Sequence, residues 1–216
     1  MLAPEEQDLI DKANLRLKEM SREEAEKLMI DGIQSMTEQE IRARIIPKKV
    51  QYVIDSNYTD EPELGEDGQP LLRRTTAIHH ADRRGLYWIV WDLFMTIYDA
   101  NYTDEFGVSH FHLACKYNFR EFVDTFLREG VDPDCLPREP SANSIDPPIL
   151  LAAANGQAGL MELLFFKGAN PNSRGTGEET AWDAYLRVSA AAMADARRRR
   201  YSRRFRYSRR FRYSRK

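Results

Sequence analysis

Apolar residues along this chain come in short clusters at helical spacing, separated by polar stretches that carry glycine, proline or asparagine. Val123, Phe126 and Leu127 fall at i, i+3 and i+4, and Leu160, Leu163 and Leu164 repeat that spacing, so each trio lines one face of a helix. The longest apolar run, Leu86 to Tyr98, is broken by Asp92; it is too short to cross a bilayer and reads as a helix buried between neighbours. Upstream, Ser21 with Glu24 and Thr37 with Glu40 each fit a capping box, in which hydroxyl and carboxylate satisfy free amides at a helix start. The first box predicts a helix over 22–31. Leu15, Leu17 and Met20 suggest an amphipathic helix before it, placed to cap one end of a stack. One-sided helices of this kind are buried only by neighbours, so the pattern predicts an all-α fold of helices packed on one another.

The helices are organised by a repeated phrase. Ser109-His110-Phe111-His112-Leu113-Ala114 is echoed 33 positions upstream by Thr76-Ala77-Ile78-His79-His80-Ala81 and 38 downstream by Pro147-Pro148-Ile149-Leu150-Leu151-Ala152. A further 33 positions on stands Thr180-Ala181-Trp182-Asp183-Ala184-Tyr185. A fixed period of this length marks a solenoid. Closing phrases keep the same offset: Gly130-Val131-Asp132-Pro133-Asp134 follows the second copy and Gly168-Ala169-Asn170-Pro171-Asn172 the third, with Gly85, Asn118 and Gly156 at the middle of three units. Five extra residues within Leu136 to Asp146 read as a lengthened hairpin. The seven-residue stretches from Asp55 and from Asp99 differ at one position, so a degenerate unit is expected over about 37–60.

These phrases resemble the ankyrin repeat family, whose 33-residue unit carries T-P-L-H-x-A. The resemblance covers roughly residues 70 to 190 and implies an ankyrin-repeat solenoid of about three to five units, each a helix pair with a hairpin finger. It also implies that His79 and His112, at the motif's histidine position, brace adjacent repeats. The motif's proline survives only as Pro148; Ala77, His110 and Ala181 replace it, which removes some preorganisation of the helix start without removing the fold. The expected divisions are 1–36 as a helical cap, 37–196 as the repeats and 197–216 as a separate tail.

Charge separates that tail from the body. All 34 acidic residues precede position 197, and 12 of the 32 basic residues fall in 197–216, so a body of −14 carries a tail of +12. The tail repeats Arg-Tyr-Ser-Arg-Arg-Phe, and its aromatics from Tyr201 to Tyr213 all fall on odd positions. An extended chain would set those rings on one side with arginines between them. Arg199, Arg200, Tyr201, Arg203, Arg204 and Phe205 are thus candidates for stacking on bases and pairing with phosphates, or for nuclear targeting. Contact with the acidic body, or a low-complexity end with no selected partner, are the alternatives. Without aliphatic residues the tail is expected to be disordered when free. Ser202, behind two arginines, reads as a kinase site whose phosphate would add about −1.5 to −2 charges.

Catalysis and metal binding find little support in the residues. His112 and Cys115 share a helical face, yet no paired Cys-x-x-Cys knuckles accompany them. Gly175-Thr176-Gly177 lacks the Gly-Lys-Ser/Thr ending of a phosphate loop and reads as a hairpin tip. No enzyme, cofactor or metal is expected. Two cysteines, Cys115 and Cys135, and a start of Met-Leu-Ala-Pro-Glu-Glu without the basic and apolar regions of a signal peptide suit a cytoplasmic or nuclear monomer away from membranes. The expected function is binding or masking of a partner protein. The candidate contacts are Tyr102, Asp104, Glu105 and Phe106 in one finger, with Arg83, Arg84, Lys116 and Tyr117 from adjacent first helices.

Overall fold

The computed structural model describes residues 20–135, 145–175, 179–191 and 194. The tail, the lengthened hairpin segment 136–144 and the first nineteen residues, with the expectations placed on them, lie outside that set. The described residues form an all-α fold in which β structure is limited to isolated bridges. Two compact units are resolved, Met1–Phe126 and Leu127–Lys216.

In the first unit, α1 (Arg22–Gln34), α2 (Glu38–Arg42) and α3 (Lys48–Asp55) precede α4 (Ala77–Arg83), α5 (Tyr87–Thr96) and α6 (His110–Lys116); α7 (Arg120–Arg128) begins there and ends two residues past the division. Both expected capping boxes are present: Ser21 and Thr37 each accept from the backbone N–H three residues on, and Glu24 and Glu40 reach back to close the box. α1 packs against α3 and α4, so its apolar face is buried from both sides. Met29, Ile33, Val50 and Val53 are fully enclosed, each gaining about 1.5–3 kcal/mol relative to exposure.

The helix pairs reuse one backbone construction. Between α4 and α5 the N–H of Leu86 donates to the carbonyl of Ala81, between α6 and α7 that of Phe119 to Ala114, and in the second unit that of Gln157 to Ala152. The residue before each donor has a left-handed backbone: Gly85 (φ 69°), Asn118 (φ 61°) and Gly156 (φ 67°). Asparagine tolerates that region better than other side chains, which is why Asn118 can stand in the glycine position. These closures recur at intervals of 33 and 38, the same as the sequence phrase.

Between the pairs run hairpins. In the first, the N–H of Leu71 donates to Glu63 and that of Gly65 to Gln69; in the second, Asp104 donates to Val108. Paired amides join the two: Arg74 donates to Thr103 at 2.9 Å and Thr103 to Leu72 at 2.8 Å.

The second unit contains α8 (Pro148–Ala154), α9 (Ala158–Phe166) and a helix α10 over 181–191. Leu160 and Leu164 are buried as the helical spacing requires, while Phe165 and Phe166 stand exposed at the end of α9. An antiparallel bridge between Arg174 and Thr180 flanks the position expected for a hairpin tip.

One expectation needs correction. The apolar run Leu86 to Tyr98 forms α5, but not as a helix covered on every side. Ile89, Val90, Leu93 and Phe94 are buried, whereas Tyr87, Trp91 and Met95, at i, i+4 and i+8, face outward. Trp91 meets the rings of Phe119 and Phe122 edge-on at 4.9 and 5.5 Å, so the stripe is partly covered by neighbouring aromatics. Burial needs only one face of a helix even when the composition would allow both.

Candidate functional site

The candidate contacts of the repeats lie in the first unit, most of them around the second hairpin and the helix ends beside it, while the candidate tail residues Arg199 to Phe205 lie outside the described residues. Asp104 is 3% exposed and organises the turn: its carboxylate accepts the N–H groups of Phe106 (3.0 Å) and Val108 (2.8 Å). Arg83, in the last turn of α4, reaches that hairpin. Its guanidinium donates to Asp104 at 2.9 Å and Glu105 at 2.8 Å while lying over the Phe106 ring, 5.0 Å from the centroid. Such a cation gains from both carboxylates and from the ring quadrupole. Glu105 also accepts from the Thr75 hydroxyl.

A second cluster adjoins the first along α4. Asp82 accepts from the Lys116 ammonium and from the Tyr117 hydroxyl, both at 2.7 Å. That hydroxyl is half-buried, and burial together with its bond to Asp82 raises its pKa. The structure therefore brings Arg83, Asp104, Glu105 and Phe106 into one cluster and Lys116 with Tyr117 into the next. Two residues lie elsewhere. Tyr102 is fully buried, its ring under the Arg74 guanidinium at 4.5 Å and beside Tyr98 and His110. Arg84 turns toward α1 and donates to the carbonyls of Ile33, Gln34 and Met36, where a helix C-terminus leaves acceptors unsatisfied. Exposed surface at the site therefore belongs chiefly to Arg83, Glu105, Phe106 and Lys116.

Beneath the site the histidines form a bracing layer whose proton positions follow from their partners. His110 Nδ1 faces the Ala100 carbonyl at 2.9 Å and must donate, so its Nε2 accepts from the Thr76 hydroxyl at 2.8 Å. His79 Nδ1 accepts the Thr76 N–H at 3.0 Å, which leaves Nε2–H to donate to the Val108 carbonyl, also at 3.0 Å. Both rings are neutral in this arrangement, and a second proton on His79 would set its Nδ1–H against the Thr76 N–H. Burial is the main reason their pKa values fall, to about 4 for His79 and well below the usual value for His110. His112 accepts the Ser109 N–H, and burial holds it at about 4 too. Among the described residues no group of three or more His, Cys, Asp or Glu is placed to hold a metal ion.

Sequence reading missed the network that ties α1 to this layer. Glu26, mid-helix, accepts from the N–H of Ala77, the Tyr98 hydroxyl and Arg74. Arg74 also grips Asp60 with bonds of 2.8 and 2.7 Å. Burial raises the Glu26 pKa against the opposing pull of Tyr98 and Arg74. A shallow opening of about 430 Å³ borders Glu26 and Arg74, with Arg22, Lys27 and Ile30 on its walls. The one signal that could have found this network was Ala77 in place of proline, because it exposes an amide that must find an acceptor.

No family model matches the chain, and no curated protein matches it either. Among the described residues no helix is long and apolar enough to cross a membrane.

Proposed function

We propose that the chain is a non-catalytic protein-interaction module of ankyrin-like repeats, which binds or masks a partner protein through its hairpin fingers and the exposed ends of its first helices. The observation that carries this reading is the helix-turn-helix closure used three times at intervals of 33 and 38, coincident with the repeated phrase. Repeated units of this kind stack by their apolar faces and leave fingers and helix ends for partners. The polar groups beneath the site support it too, since His79, His110, Glu26 and Arg74 bind one another, backbone or neighbouring polar groups.

Affinity capture tests the reading with the full chain, the chain ending at Ala196, and a Glu105→Ala, Phe106→Ala variant. Both lengths are expected to recover one shared partner, and the variant to recover less of it with thermal unfolding nearly unchanged. Undiminished recovery by the variant would remove the finger from the contact, and a partner held only by the longer chain would remove the repeats.

That last outcome belongs to a second reading, in which the tail binds nucleic acid or directs the chain to the nucleus. Its support is compositional: 12 basic residues among the last 20, interleaved with aromatics. Tail-driven binding should fall steeply with salt, because each neutralised phosphate releases counterions, and should vanish on truncation after Ala196.

A further inference from the structure

Helix α10 begins like the first helices of the other pairs but stands without a second one. Thr180 donates its N–H to the Asp183 carboxylate at 3.2 Å and its hydroxyl at 2.7 Å, while the Asp183 N–H returns to the Thr180 hydroxyl. The same three-residue reach opens α4 at Thr76 and α6 at Ser109, so residues can be matched by their place in the repeated phrase. At its third place Ile78, Phe111 and Ile149 are 0, 0 and 1% exposed, whereas Trp182 is 59% exposed. Second helices make the difference. α4 packs against α5 and α8 against α9, and Phe111 meets Phe126 of α7 with ring centroids 6.2 Å apart. Among the described residues no second helix follows α10.

A second helix of the kind used elsewhere fits α10 poorly. At the sixth place of the phrase the other units carry Ala81, Ala114 and Ala152, all fully buried, and just after it Cys115 and Ala153 are buried as well. Small residues there let the paired helix come close. α10 carries Tyr185 and Leu186 instead, with Leu186 50% exposed and Tyr185 stacked on Trp182 at 6.0 Å. This bulk would hold a helix off, whereas a single extended segment lies flatter.

Residues 197–216 supply such a segment, beginning within a few residues of the end of α10. The helix from Trp182 to residue 194 rises about 18 Å, at 1.5 Å per residue. An extended chain returns over that distance in about six residues, so 197–205 is long enough to lie along it. Its odd positions put Tyr201, Arg203 and Phe205 on one side. Those rings can rest on Trp182, Tyr185 and Leu186, while Arg203 meets Asp183, which flanks Trp182 on the exposed side of α10. Charge agrees, because residues 127–196 hold ten acidic side chains against five basic ones and the tail holds no acid at all. We propose that residues 197–205 fold back as an extended strap over the Trp182–Leu186 face of α10, the side that second helices cover in the other pairs. While the strap lies there its aromatic side is withheld from other ligands, and a nucleic acid would have to displace it.

Acrylamide quenching of Trp182 tests the contact, its signal read as the difference between the parent and Trp182→Phe. Quenching should be weaker in the full chain than in the chain ending at Ala196, and high salt should raise it only in the full chain. A synthetic peptide of residues 197–216 added to the shorter chain should restore the protection, and one with serine in place of tyrosine and phenylalanine should not. In a second readout, Trp182→Ser with Leu186→Ser should speed trypsin cleavage within 197–205 roughly tenfold, the scale on which loss of anchoring side chains acts. Both altered side chains are exposed, so circular dichroism melting should not shift. Equal quenching at the two chain lengths, equal protection by the serine peptide, or parent-like cleavage of the double variant overturns the proposal. Protection that grows with protein concentration overturns it as well, by making a second copy the occupant.

Discussion

Helices α4 and α6 of the first unit and α8 of the second begin at equivalent points of the repeated phrase, yet different forces hold the three starts. α4 and α6 open on Thr76 and Ser109, whose backbone N–H groups donate to His79 and His112 three residues on. Their next residues, Ala77 and His110, keep amides that proline would have removed, and each finds a distant acceptor: Glu26 for Ala77 and the Tyr102 carbonyl for His110. α8 opens on Pro147 and Pro148 with no side-chain cap, its φ angles preset and Ile149, Ala152 and Ala153 buried behind it. One unit uses long-range polar bonds where the other uses local stiffness and apolar contact. Polar bonds make a start specific to its neighbours, and they make it sensitive to anything that changes a proton.

Acid is therefore the strongest way to separate the two regions. All four histidines lie in the first unit. His79 and His112 are held at about 4 in the folded chain, below their ordinary value of 6.5. A depressed histidine contributes stability that is complete above pH 6.5 and is lost as pH falls toward 4, because the unfolded chain binds the proton first. Together the two should remove on the order of several kcal/mol across that window. Trp88 and Trp91 report on the first unit and Trp182 on the second, so a Trp182→Phe chain isolates the first signal. Its fluorescence should change between pH 6.5 and 4 while hydrogen exchange in α8 and α9 stays slow. Simultaneous loss of protection in both units would erase the distinction.

Single side chains come next in size. His110→Ala removes a fully buried ring with two hydrogen bonds and its contacts to Phe94, Tyr98 and Tyr102, and should cost about 3–4 kcal/mol in urea unfolding. Glu26→Ala strands the Ala77 amide and the Tyr98 hydroxyl, at about 1–3 kcal/mol. The informative experiment is the cycle with Ala77→Pro. Proline has no N–H to satisfy, and its ring would crowd Glu26, so the change should destabilise the parent but be tolerated once Glu26 is alanine. Additive effects would mean that the amide is not what Glu26 is there to serve.

These particular residues explain how far the sequence could be read. The capping boxes at Ser21 and Thr37, the left-handed Asn118 and the buried pairs Val123 with Phe126 and Leu160 with Leu164 depend on neighbours within four residues, so periodicity and residue type were enough, though Leu127 and Leu163 are only half-buried. The outward stripe Tyr87, Trp91, Met95 was not legible, because an all-apolar helix does not mark its covered side. The same holds for the candidate site. Arg83 with Glu105 and Phe106 was recoverable from the hairpin pattern, whereas the interior position of Tyr102 and the turn of Arg84 toward α1 depend on contacts 28 to 51 residues away in sequence. Asp55 to Glu61 and Asp99 to Glu105 look nearly alike. Yet Asp60 is spent on Arg74 and Asp104 on its own turn and Arg83, a difference set by what each hairpin packs beside.

The smallest test compares the helix starts directly. Ser109→Ala removes a hydroxyl that accepts the His112 N–H and touches its ring nitrogen, and should cost about 1 kcal/mol, as loss of an N-cap ordinarily does. Pro148→Ala removes no hydrogen bond; it only frees the unfolded chain and should cost about 0.4–1 kcal/mol. The two losses are close in size but differ in origin, so their pH dependence is the deciding reading. The Ser109 effect should grow below pH 4, where a protonated His112 donates its Nδ1–H to the hydroxyl oxygen that alanine lacks, while the Pro148 effect should stay constant. Equal pH dependence at both positions would mean that the first unit's starts are held by packing alone and that its histidines are spectators.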